Sequence, residues 1–193
     1  MIKVDNEQIK ERISKAVENS EKGTVLMLEL PTEGYFDACS ATVRLLESMG
    51  YEGVYLSFQR PFKNVSALLL KCGVNIDKLL FVDLASGVSD GFREVNSRCI
   101  YVDDFRDIDE IVHAIYTSLS QLSGKKQYVF IDSLTTLALY LPLSEMMRFS
   151  EFLQHTIRNG GKMRKDLIFN VAQDLRQKKF IKDIAMTVDE VIA

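Results

Sequence analysis

The feature that most constrains this 193-residue chain is an alternation. Short apolar runs of strand length recur along it, separated by stretches of helical hydrophobic period. The runs are TVLMLEL from Thr24, GVYLSF from Gly53, KLLFVDL from Lys78, RCIYVDD from Arg98, KQYVFID from Lys126, DLIFNVAQ from Asp166 and DEVIA from Asp189. Nearly continuous apolar runs of this length mark strands covered on both faces. Between them, Ile9, Ile13, Ala16 and Val17 form one helical stripe, and Ala38, Thr42, Leu45, Leu46 and Met49 form a second. A third stripe runs through Ile108, Ile111, Val112, Ile115, Leu119 and Leu122. NVSALLLKCG reads as a short helix, 143–161 as a long one, and DLRQKKFIKDIAM as a further helical stretch. Gly23, Gly50 and Gly73 stand where helices stop. ASGVSDGFREVNS, from Ala85, has no period and reads as a loop and a possible contact element. Strands joined by helical crossovers predict an α/β fold of three layers, with helices on both faces of a mostly parallel sheet. With no repeat, linker or low-complexity tract, residues 1–193 are expected to form one domain. Residues 1–22 would be an N-terminal helix and 23–193 the core.

Composition narrows the function. Apolar content of 47 % and charged content of 26 % are ordinary for a globular chain. A net charge of −3 argues against bulk attraction to nucleic acid or an acidic membrane. No apolar run is long enough to span a bilayer, and the charged N-terminus lacks the apolar centre of a secretion signal, so a cytoplasmic location is expected. Cys39, Cys72 and Cys99 are odd in number and widely spaced, as packing cysteines in a reducing compartment are.

One stretch has the outline of a phosphate-binding loop. VLMLELPTEGYFDACSATVRLL, from Val25, reads as strand, tight turn, then helix. The phosphate-loop pattern is G-x-x-x-x-G-K-[ST]. Laid on the eight residues from Glu29, only Gly34 fits. Glu29 replaces the first Gly, Tyr35 the Lys and Phe36 the Ser/Thr, with Thr32 and Glu33 between. Tyr is uncharged at neutral pH, and Phe coordinates nothing. At ~5 Å and an effective dielectric of ~20, each carboxylate would repel a unit negative charge by about 3 kcal/mol, roughly two orders of magnitude in affinity. Glu33 and Asp37 instead suit a helix N-terminus that satisfies its own dipole. At least one of the rings of Tyr35 and Phe36 is expected to fold over the loop or inward, filling space that a nucleotide would take.

Taken in order, KGTVLML, GYEGVYLSF, CGVNIDKLLFVDLAS, YVFIDSLTTLALY and AMTVDEVIA resemble the successive segments of a RecA-superfamily ATPase domain of the KaiC-like branch. The resemblance runs from about Lys22 to the end. It implies a Mg-ATP site at the loop above. Asp132 and Ser133 match the acidic strand end that holds Mg²⁺ in that family, although Asp132 also suits a cap through the Ser133 and Leu134 amides. Gln59 and Arg60 stand where the family carries its catalytic Glu, and Gln cannot accept a proton from water. The resemblance with these replacements implies a domain that has lost ATP hydrolysis and ATP binding, holds no cofactor or metal, and acts in protein interaction or regulation. Its expected partner is another protein, such as an active relative, and the chain itself is expected to be a monomer or a homodimer whose size does not change with ATP. Degenerate chains of this branch occur in archaea. The alternatives are a divergent protein that still binds Mg-ATP, and, less well matched by charge, a nucleic-acid-binding relative.

The remaining polar clusters have ordinary readings. The acidic run DDFRDIDE holds an Asp107-x-x-Glu110 capping box rather than a metal set. GGKMRKD and RQKK read as solvated surface, and His113 and His155 stand alone.

Overall fold

A computed structural model describes residues 6–20, 22–88, 96–159, 161 and 163–193. Its elements are α1 (Asn6–Glu18), β1 (Val25–Leu30), α2 (Tyr35–Ser48), β2 (Glu52–Ser57), α3 (Phe62–Lys71), β3 (Leu79–Asp83), β4 (Cys99–Tyr101), α4 (Ile108–Gln121), β5 (Lys126–Asp132), α5 (Leu134–Leu137), α6 (Leu143–Arg158), β6 (Arg164–Ala172), α7 (Lys179–Ala185) and β7 (Glu190–Ile192). The strands form one seven-stranded sheet in the order β4-β3-β2-β5-β6-β1-β7. Every described pair is parallel, so the sheet is wholly rather than mostly parallel.

Side-chain alternation along each strand splits the core in two. Val25 and Met27 of β1, Val54 and Leu56 of β2, and Val129 and Ile131 of β5 face the layer of α4, α5, α6 and α7. Leu26, Leu28, Tyr55, Tyr128 and Phe130 face α1, α2 and α3. Ile9, Ile13 and Val17 bury the stripe of α1 in this second core, so the first helix is part of the three-layer body.

The carboxyl end of α1 is tied to β6. Arg164 donates to the carbonyl of Val17, one of those the last turn of the helix leaves unpaired, and to that of Ser20 just beyond it. Its guanidinium also pairs with buried Asp166 at 3.2 Å, and Asp166 accepts the Thr24 amide at 2.7 Å. Arg164 is therefore an internal tie and not part of a solvated basic run.

Several boundaries differ from the sequence reading. α1 stops at Glu18, five residues before Gly23, and the helix that follows β5 directly is the single short turn α5, separate from α6. The DLRQKKFIKDIAM stretch is helical in α7 only from Lys179, after a single 3₁₀ turn at Gln173–Leu175. Gly50 and Gly73 do close α2 and α3, each at positive φ. Much of the ASGVSDGFREVNS loop, 89–95, lies outside the described residues.

Candidate functional site at the carboxyl edge of the sheet

Parallel sheets present ligands at the carboxyl ends of their strands. Here those ends are Leu30, Ser57, Asp132 and Ala172 of four adjoining strands, with Ser57 in register with Asp132 and Leu30 with Ala172. The turn after β1 leads straight into α2. Gly34 sits at its N-cap with φ of 76°, a left-handed conformation that side-chain-bearing residues avoid. This one glycine is what the loop geometry requires, and it is the one position of the phosphate-loop pattern retained.

The first residue of α2 then turns inward. The Tyr35 hydroxyl donates to Asp132 Oδ1 at 2.7 Å. From the neighbouring strand, the Tyr55 hydroxyl donates to Asp132 Oδ2 at 2.6 Å. Asp132 and Tyr55 are buried. Both carboxylate oxygens are thus engaged by phenols, one from the helix above and one from the sheet. Burial pushes the Asp132 carboxyl above the ordinary carboxylate range, while the bonds from Tyr55 and Tyr35 and the nearby charge of Arg60 pull the other way. Burial also raises both phenols well above their ordinary value, which keeps them protonated as donors.

One turn along α2, the buried Cys39 sulfur accepts from Asn170 Nδ2 on β6 at 3.5 Å, and burial raises its thiol. The side-chain oxygen of Asn170 is buried without a partner.

Phe36 stays half-buried against the α1–α2–α3 core. The Arg60 guanidinium lies over its ring at 5.1 Å from the centroid. Arg60 is therefore packed rather than simply solvated, and its Nη1 is buried without a partner. Gln59 Nε2 donates to Thr136 Oγ1 at 2.5 Å. Ser133, not Asp132, is the cap of α5: its hydroxyl accepts the Thr136 amide at 3.2 Å. That corrects the reading of Asp132 as a cap, and the reason is that both its oxygens are committed to phenols.

Thr32 and Glu33 are exposed and outside this cluster, and Thr32 bonds Asp174 instead. Glu29 is half-buried on β1. In the acidic run, Asp107 caps α4 by accepting the Glu110 amide. The return bond of a capping box is not made, because Glu110 accepts from Asp103 while the Asp107 amide goes to Asp104. Among the described residues, no group of three His, Cys, Asp or Glu is placed to hold a metal. Both histidines are exposed. No described helix is long and apolar enough to cross a membrane.

These residues do not fit the magnesium nucleotide that the fold implies. The would-be Mg²⁺ carboxylate has no oxygen left without a phenol. The loop offers an aromatic ring in place of its hydroxyl ligand, and a neutral phenol already hydrogen-bonded inward in place of its cation. Sequence reasoning had flagged Tyr35, Phe36, Gln59, Asp132 and Ser133. It missed Tyr55, Cys39, Asn170 and Thr136, which no short-range motif marks.

No family model matches the chain, and none of the curated proteins matches it. Solved structures do. An uncharacterised protein of Pyrococcus horikoshii, crystallised with an unknown peptide, superposes with a TM-score of 0.66 at 14 % identity, covering 94 % of this chain and 81 % of that one. A KaiC-like protein of the hyperthermophilic archaeon Pyrococcus horikoshii OT3 superposes with a TM-score of 0.57 at 16 % identity, covering 84 % of this chain and 68 % of that one. At such identities the likeness is one of fold, and the fold is the three-layer RecA-like α/β fold of a KaiC-like protein.

Proposed function

We propose that this RecA-like domain has lost ATP hydrolysis, does not hold Mg-nucleotide, and works through contacts with other proteins. The observation that carries the reading is the 2.7 Å hydrogen bond from Tyr35, in the position of the phosphate-loop lysine, to Asp132, in the position of the magnesium carboxylate. For Asp132 to serve a hydrated cation, a buried bond to a charged acceptor has to break, at a cost of roughly 1.5–3 kcal/mol. Nothing in the loop offsets that cost. Phe36 supplies no oxygen, and no residue of the turn from Pro31 to Phe36 supplies a cation. Gln59, tied to Thr136, has no basic group with which to activate water. With the chemistry gone, the role in interaction or regulation follows by analogy of fold alone.

The test is a titration with fluorescent ATP, with and without Mg²⁺, read by anisotropy and by thermal shift. The expected result is no saturable binding and no rise in melting temperature with millimolar ATP, since a ligand far below its Kd stabilises negligibly. Mg²⁺-dependent binding in the micromolar range would overturn the reading in favour of a divergent nucleotide-binding protein. Binding of an unstructured oligonucleotide in the same assay would favour a nucleic-acid role.

A further inference from the structure

Away from this site, the surface carries two patches of complementary character. The first is a groove of about 520 Å³ between the start of α4 and the start of α6. Tyr140 lines it, 56 % exposed, with its ring edge-on to Phe105 at 4.5 Å between centroids. Leu139 and Leu143, 71 % and 46 % exposed, flank it in the chain. Asp104, Asp107, Asp109 and Glu145 stand along the groove against Arg106 and Arg148, leaving carboxylates in excess. Arg106 is spent on Asp104 at 2.9 Å, and Arg148 reaches Asp109 and Glu145 only at 3.8 and 3.7 Å.

The second patch lies on α7. Lys179, Lys182 and Met186 recur at spacings of three and four, so they share one stripe of the helix and its C-cap. Both lysines are exposed, and Met186 is 86 % exposed. Among the described residues neither lysine enters an ion pair.

One copy cannot join the two patches. The groove sits at the amino end of α6, whose 16 residues span ~24 Å at ~1.5 Å per residue. The end of α7 is held at the other end of α6, where Arg158 donates to the Thr187 carbonyl at 2.9 Å and Gln154 to the Thr187 hydroxyl at 2.8 Å.

We propose that the acidic, apolar groove receives the Lys179–Lys182–Met186 stripe of a second copy of this chain. The lysines face Asp109 and Glu145, and the methionine enters between Tyr140 and Leu143. The proposal rests on the reading of the chain as an interaction domain and names its partner and its surface. The contact is head-to-tail, using different patches on the two copies, rather than a two-fold dimer, so it can repeat. Its ionic part is screened by salt.

Sedimentation velocity of the nucleotide-free chain over a wide concentration range, at low and high salt, tests it. The wild type is expected to grow in mass with concentration at low salt and to shrink with added salt. Lys179→Glu with Lys182→Glu, or Asp109→Lys with Glu145→Lys, should each weaken association at least about tenfold, a shift of about 1.4 kcal/mol. All four positions are on the surface, and circular dichroism checks that both variants fold. Mixed, the two variants should associate again in equal proportion, because the unaltered groove of the first meets the unaltered stripe of the second, and the two reversed faces also match each other. A wild type that stays monomeric at low salt overturns the proposal, even if its groove captures a basic segment of some other protein. So does either variant assembling like the wild type. A monomer that ignores Mg-ATP would sink this proposal alone. A chain that assembles through these faces yet binds Mg-ATP tightly would sink only the function proposed above.

Discussion

Replacing Tyr35 with Phe removes one oxygen from the centre of the candidate site and leaves the ring in place. The lost group is a donor at 2.7 Å to a buried carboxylate whose other oxygen is held by Tyr55. A hydrogen bond to a charged acceptor contributes about 1.5–3 kcal/mol. In a chain of this size each kcal/mol corresponds to about 2–4 °C in Tm, so a loss near 2 kcal/mol lowers Tm by about 4–8 °C. The sign of the pH dependence follows from the direction of the Asp132 shift. Burial raises its folded pKa above the unfolded value of about 3.9. The folded state then binds the proton more tightly. The associated stability is fully present below the unfolded pKa and is lost as pH rises through the folded one. The bond from Tyr35 favours the charged form, so without it the folded pKa climbs further and the losing window extends upward. Tyr35→Phe should therefore be more destabilising at pH 8 than at pH 5. Thermal and urea melts of wild type and variant at both values measure this. Tyr55→Phe should show the same trend, and the double variant should depart from additivity because both bonds share one carboxylate. If Tyr35→Phe melts with the wild type at pH 8, the hydroxyl is not spent on Asp132 and the argument for a closed cradle fails.

Two further outcomes follow from packing and burial. At Gly53, an added Cβ would lie 2.2 Å from the buried Tyr128 ring; overpacking of this kind costs about 1–3 kcal/mol, so Gly53→Ala should shift the urea midpoint down, and an unchanged midpoint would mean that β2 and β5 are not packed as described. Cys39 is buried with its thiol raised by burial, and burial with the charge of Asp83 pushes Cys99 up to about 12. The folded chain should thus show one faster thiol, partly exposed Cys72, in a disulfide-exchange assay, with all three titrating in denaturant; labelling of Cys39 as fast as Cys72 would contradict the closed packing beneath the loop.

If the two patches pair as proposed, association should depend on concentration and salt rather than on nucleotide.

The sequence alone determined where the seven strands and the main helices lie, though not all their ends, and where the chain departs from the phosphate-loop pattern. Those properties are local: apolar period, a glycine at positive φ, and the identity of Tyr35 and Phe36 in a row. Asp107 as the cap of α4 was legible for the same reason, because its partner lies three residues away. The tertiary structure decided the rest. Tyr35 and Asp132 are 97 residues apart, and Tyr55 and Asp132 are 77 apart, so no window of sequence contains either pair. They meet because β2 and β5 are neighbours in the sheet and α2 starts over them, an order set by which apolar faces pack together. Arg164 likewise looks like one charge in a basic run, and only the fold aims it at Asp166 and the end of α1. A hydrogen-bond partner across a sheet is chosen by strand order and register. Both depend on burial summed over the whole chain, which no single segment encodes.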